Sequence, residues 1–138
     1  MKNLKSSLLI FLFGTFLTNA QNTIEVEITN FDNNTGVAFI GLYNSEGAFL
    51  KTLYKGEKAE IKNRKVVLTF EDIPNGTYAI SAFHDADENG ELTTNFIGIP
   101  KEKYGASNNA PSRFGPPKWK DARFEVRNGE TVYQKIEL

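Results

Sequence analysis

The sequence predicts an all-β protein, an antiparallel β-sandwich of about seven strands, prealbumin- or immunoglobulin-like, with one long ordered loop. Three observations carry this prediction. Apolar and polar residues alternate at period two through most of the chain, and no segment shows a helical stripe. Turn-forming Asn, Gly and Pro fall between the alternating runs, as in a sandwich of short strands. One stretch, from Asp85 to Asp121, breaks the pattern: it is rich in Gly, Pro and Asn, yet holds Phe96, Ile97, Ile99, Tyr104, Phe114 and Trp119.

In chain order, "TIEVEIT" places Ile24, Val26 and Ile28 on one face and Glu25 and Glu27 on the other. The turn-rich "NFDNNTG" separates it from "VAFIGLYN", where Ala38, Ile40 and Leu42 are expected to face the core, with Phe39 and Tyr43 behind them. The polar "KTLYKGEKAEIKNRK" is expected to hold a short edge strand, since lysines discourage pairing with another chain. In "VVLTFEDIPNGTYAISAFHD", Val66, Leu68 and Phe70 share a face, and Pro74 cannot donate to a ladder. Asn75-Gly76 suits a tight turn because both residues tolerate positive φ. The strand that follows is small or apolar on both faces, with Tyr78, Ile80 and Ala82 on one and Ala79, Ser81 and Phe83 on the other, which predicts a central position. "ARFEVRNG" and "TVYQKIEL" complete the set, with Asn128-Gly129 expected as a hairpin turn between them.

The N-terminus reads as a leader. Lys2 and Lys5 precede the apolar run "SSLLIFLFGTFL", and Thr18 and Ala20 stand where a signal peptidase prefers small residues. The run is shorter than the roughly 18–20 residues of a spanning helix. We therefore expect residues 1–20 to be a signal peptide cleaved near Ala20, and residues 21–138 to be one exported domain, periplasmic or secreted. The absence of cysteine excludes disulfides, cysteine-ligated zinc and a lipoprotein thiol. Loss of two lysines takes the formal charge from -1 to -3. That balance gives no electrostatic reason to expect nucleic acid or an anionic membrane as partner. No stable membrane insertion is expected, and the domain reads as a monomer.

Three places carry candidate chemistry. In "DADENGELTTN", Asp85, Asp87 and Asn89 recur at every second position and Gly90 follows, the opening of an EF-hand calcium loop with the Glu91 carbonyl in seventh place. The twelfth position is Phe96 where that loop needs a bidentate glutamate; Thr93 and Asn95 offer neutral oxygens instead. Two readings fit: a weak calcium site, or an Asx-rich turn bonded to its own backbone. His84 is the only histidine and precedes Asp85, but neighbours on a strand point to opposite faces, so the pair is not set for acid–base work. The aromatic loop offers Tyr104, Arg113, Phe114 and Trp119 as a surface for a glycan, a peptide or an envelope protein. The same rings would alternatively fold back as a satellite core.

The run "FEDIPNGTYAISAFHDADENGELTTNFIGIPKEKYGASNNA", followed by "RFGPPKWKDARFEV", resembles the bacterial family known as domain of unknown function 2141. The specific matches include Ile73-Pro74-Asn75-Gly76-Thr77-Tyr78, His84-Asp85, Asn89-Gly90, Gly98-Ile99-Pro100, Ser107-Asn108-Asn109 and Gly115-Pro116-Pro117. The family is common in exported proteins and has no assigned activity. Its "IPNGTY" turn is similar to that of transthyretin-like modules, which implies a prealbumin-type sandwich. Thr93 departs from the aspartate common at its position, so a family metal loop would have one carboxylate fewer here. The expected function is that of an exported, non-enzymatic binding or structural module with a weak calcium-stabilised loop. The alternatives are a glycan- or peptide-binding module built on residues 96–119, and a hydrolase using His84 with Asp85 or Asp87.

Overall fold

A computed structural model describes residues 21–138, so the expected signal peptide lies outside the described residues. They form eight strands: β1 (Asn22–Thr29), β2 (Val37–Tyr43), β3 (Lys55–Glu60), β4 (Val66–Ile73), β5 (Gly76–Asp85), β6 (Tyr104–Ala106), β7 (Phe124–Val126) and β8 (Thr131–Glu137). A three-stranded sheet has the order β4-β1-β8, and a five-stranded sheet has the order β3-β2-β5-β6 with β7 also paired to β5. One helical turn, α1 (Trp119–Ala122), and a 3-10 turn at Ser107–Asn109 interrupt the long loop. Among the described residues, no helix is long and apolar enough to cross a membrane.

The alternation seen in the sequence becomes the core. Ile24, Val26 and Ile28 from β1 and Phe70 from β4 meet Ala38, Ile40 and Leu42 from β2 and Ile80 from β5, all buried between the sheets. Among the described residues, both sheets enclose a single core between them. As its two-sided apolar pattern predicts, β5 is central, with β2 on one side and β6 and β7 on the other. The lysine-rich β3 is an edge strand of the larger sheet.

The hairpin expected at Asn128-Gly129 is corrected: β7 pairs β5 while β8 pairs β1, and at the Asn75-Gly76 turn β4 likewise pairs β1 while β5 lies in the other sheet. Each Asn-Gly therefore carries the chain from one sheet to the other. Asn128 and Gly129 do take positive φ (61° and 67°), but at the first crossing the left-handed residue is Asp72 (φ 56°). The buried Asn22 ties both crossings together, donating to the Ile73 carbonyl (2.8 Å) and to Asn75 (2.9 Å) and accepting from the Glu130 N–H (3.1 Å). A further correction concerns direction. The β1–β8 pair is parallel, because β8 arrives from the opposite sheet rather than through a local turn; all other ladders are antiparallel.

Candidate functional site

The loop after β5 is ordered at its base by side chains that stand in for a strand. β6 pairs Ser81–Phe83 and β7 pairs Gly76–Tyr78, leaving Ala79 and Ile80 between them. The wholly buried Ser107 fills that gap: its Oγ accepts from the Ile80 N–H (2.9 Å) and donates to the Ala122 carbonyl (2.6 Å). Asn108 then bonds the carbonyls of Asp121 (3.1 Å) and Arg123 (2.9 Å), and the Asn109 oxygen accepts from the Glu137 N–H (2.9 Å). Asn108 and Asn109 adopt positive φ, which asparagine tolerates better than most residues. Above this clamp a satellite core of Tyr43, Phe49, Ala79, Ala106, Ala110 and Ala122 covers the outer face of the larger sheet.

The acidic turn opens at Asp85, whose side chain is wholly buried. Its two carboxylate oxygens accept from the N–H groups of Asn89 (3.1 Å) and Gly90 (2.8 Å). Asp87 accepts from Asn89 and from the Thr93 hydroxyl (3.3 Å), and the Asn89 oxygen accepts from the Glu91 N–H (2.9 Å). Gly90 sits at φ +78°, the bend that the glycine of such a loop provides. The Glu91 side chain is exposed. Asn95 belongs to a separate turn, where its Oδ1 accepts from the N–H groups of Ile97 (3.0 Å) and Ile99 (2.9 Å).

Sequence reasoning missed Glu102. The chain from Thr93 to Lys101 doubles back, joined by Lys101 N–H to Thr93 O (2.8 Å) and a Thr94–Pro100 bridge. This returns the Glu102 carboxylate to the acidic turn, where it accepts from the N–H groups of Ala86 (3.1 Å) and Thr93 (2.9 Å). One oxygen each of Asp85, Asp87 and Glu102 lies within 4.8 Å of the others, a cluster able to bind a metal ion. An EF-hand template finds its last carboxylate at a fixed spacing, so it could not find a glutamate delivered by a fold-back.

His84 is buried beneath this turn. Its Nε2 donates to the Thr35 carbonyl (2.6 Å) and its ring meets Phe31 edge-on at 5.4 Å. The Asp85 carboxylate points into the acidic turn instead, so the two side chains serve different partners. Gly36 makes this contact possible, since a Cβ there would lie 2.3 Å from the Asp85 carbonyl oxygen and 2.7 Å from the Ala86 Cα.

The aromatic loop divides. Trp119 packs on Phe49 at the satellite core, with ring centroids 5.8 Å apart. Tyr104 and Arg113 instead line a cleft of about 610 Å³ over the outer face of the larger sheet. Its floor is Tyr43, Ser81 and Phe83; Leu92, Ile99 and Pro100 form one wall, and Arg113, Pro116 and Pro117 the other. Arg113 is the only charged residue lining it, and no ion pair involves Arg113 among the described residues. Phe114 projects wholly into solvent, as does Phe96.

The fold and the site define a β-sandwich whose sheet face is roofed by one clamped loop. The chain belongs to the family described as uncharacterized protein conserved in bacteria (DUF2141), whose model matches residues 26–134. No curated protein and no solved structure matches the chain.

Proposed function

We propose that the protein is an exported binding module, without catalytic activity of its own, whose ligand site is the loop-roofed cleft. The observation that supports this reading is the cleft itself. Its size falls in the range of about 300–1,000 Å³ common to ligand sites, and it combines apolar walls with a few polar groups. The hydroxyls of Ser81 and Tyr104 and the guanidinium of Arg113 supply orientation; Ile99, Phe83 and Pro116 supply contact area. Apolar walls of this kind favour a peptide segment over a glycan, which needs more planar polar partners. Fluorescence anisotropy against a peptide library and an oligosaccharide panel tests the reading. Ile99→Asp and Arg113→Gln each weaken the best ligand by about tenfold or more. A ligand whose affinity neither substitution changes would place the site elsewhere.

In a finer reading, calcium braces the wall that carries Ile99. Calcium takes six to eight oxygen ligands. Asp85, Asp87 and Glu102 would hold the ion, with Asn89 and Thr93 as neutral donors. The support is Glu102, which restores to the degenerate loop the third carboxylate that its own spacing lacks. The ion would offset repulsion among three carboxylates now countered only by N–H and hydroxyl donors.

A further inference from the structure

We propose that the two loop tips flanking the cleft are a docking surface for an anionic lipid bilayer. This goes beyond the cleft reading and does not depend on it. Phe96 and Phe114 are 98% and 103% exposed, and Ile97 and Ile99 beside Phe96 are 65% and 54% exposed. Large apolar side chains so fully in water on a small domain mark a contact surface. The two tips belong to one surface, because Gly98 and Ile99 after Phe96, and Arg113 and Gly115 around Phe114, line the same cleft.

The backbone of the first tip is prepared for an apolar medium. The N–H groups of Ile97, Gly98 and Ile99 are all bonded to Asn95, through its side chain or its carbonyl. Burying the tip in the interfacial region would therefore not strand these donors, which is the main cost of placing irregular backbone there.

Charge identifies the kind of surface. Residues 96–120 hold five Lys and Arg against one acidic residue, whereas the rest of 21–138 holds nine against sixteen. The single acid, Glu102, is turned to the acidic turn, and Lys103 is paired with Asp32 (3.0 Å). Lys101, Arg113, Lys118 and Lys120 are exposed and join no ion pair among the described residues. The net charge of the domain, which gave no reason to expect an anionic membrane, thus conceals a cationic segment within an acidic chain. Lasting peripheral attachment needs two signals, and apolar tips among unpaired cations supply both.

The test is co-sedimentation of residues 21–138 with vesicles of phosphatidylcholine alone or mixed with phosphatidylglycerol. Partitioning is expected to be about tenfold or more stronger on the anionic vesicles, and to fall when salt is raised from about 0.1 M to 0.5 M. Phe96→Ser and Phe114→Ser each lower it by about tenfold, and Lys101→Gln and Lys118→Gln each by about fivefold. An unchanged melting temperature in the phenylalanine variants shows that the fold is kept. Absence of binding to anionic vesicles, or equal binding by the Phe96→Ser/Phe114→Ser protein, overturns the proposal. So does a concentration-dependent dimer abolished by that double substitution, which would make a second copy the occupant.

Discussion

From Asp85 to Asn95 the long loop turns its side chains onto nearby backbone: two aspartates, two asparagines and the returning Glu102 accept from N–H groups between Ala86 and Ile99. From Phe96 onward its large apolar side chains divide, with Trp119 reaching the satellite core while Phe96 and Phe114 stand in water. The comparison teaches where the order of this loop comes from. Polar groups hold the backbone locally and Ser107 to Asn109 close the base, so apolar collapse is not required. The rings that a small domain would ordinarily bury are left free to meet something else.

The loop's polar order is most vulnerable at Gly36. Any side chain there strikes backbone atoms of Asp85 and Ala86, and φ +71° is itself unfavourable for alanine. Gly36→Ala is expected to cost about 3 kcal/mol in urea unfolding, in the range of overpacking and left-handed strain combined. A loss below about 0.5 kcal/mol would show that the acidic turn is not fixed from below. Calcium is expected to act on the same turn with a smaller effect. With a site in the millimolar-to-submillimolar range, saturating calcium stabilises by about 1–3 kcal/mol. The expected readout is a melting temperature raised by several degrees, with the rise abolished in Asp87→Ala, which removes an exposed carboxylate from the cluster. Identical melting curves with calcium and with chelator would leave the turn as a hydrogen-bonded structure alone.

The smallest effect belongs to the opposite end of β5, a control outside the loop. Tyr78 donates to the Pro74 carbonyl (2.8 Å), and burial, with Tyr54 as a lesser cause, raises its pKa above the ordinary value of 10.0. In the unfolded chain the phenol ionises first as pH rises. The stability this group contributes is therefore fully present below about pH 10 and is lost as pH climbs through the higher folded-state value. Denaturant titrations across that window should show a shallower alkaline decline for Tyr78→Phe than for the parent. Parallel profiles would assign the alkaline loss to other groups.

Much of the sandwich is legible in the sequence, because period-two alternation in β1 and the two-sided apolar pattern of β5 report burial directly. The Asn-Gly dipeptides report a bend, but not whether the next strand joins the same sheet. That choice is made by Asn22 and by competition among β4, β7 and β8 for partners, which no local pattern encodes. At the site, Asp85, Asp87, Asn89 and Gly90 are readable because their chemistry is local. Glu102 and Ser107 are not, since the first is delivered by a fold-back and the second acts on Ile80, 27 residues earlier. Ser107-Asn108-Asn109 stands out as a motif in the sequence, and only the gap between β6 and β7 explains its residues. Nor does composition locate charge. An acidic total hides the cationic segment from Lys101 to Lys120.

The serine in that gap has one more implication, for how such proteins diverge. Because a lone hydroxyl and two amides seal the excursion where it leaves and rejoins β5, whatever is spelled between Ala110 and Lys118 is mechanically insulated from the two sheets. Insertions, deletions or wholesale rewriting of that span should leave folding intact while changing what the exposed rim grips. One architecture can thereby serve many appetites.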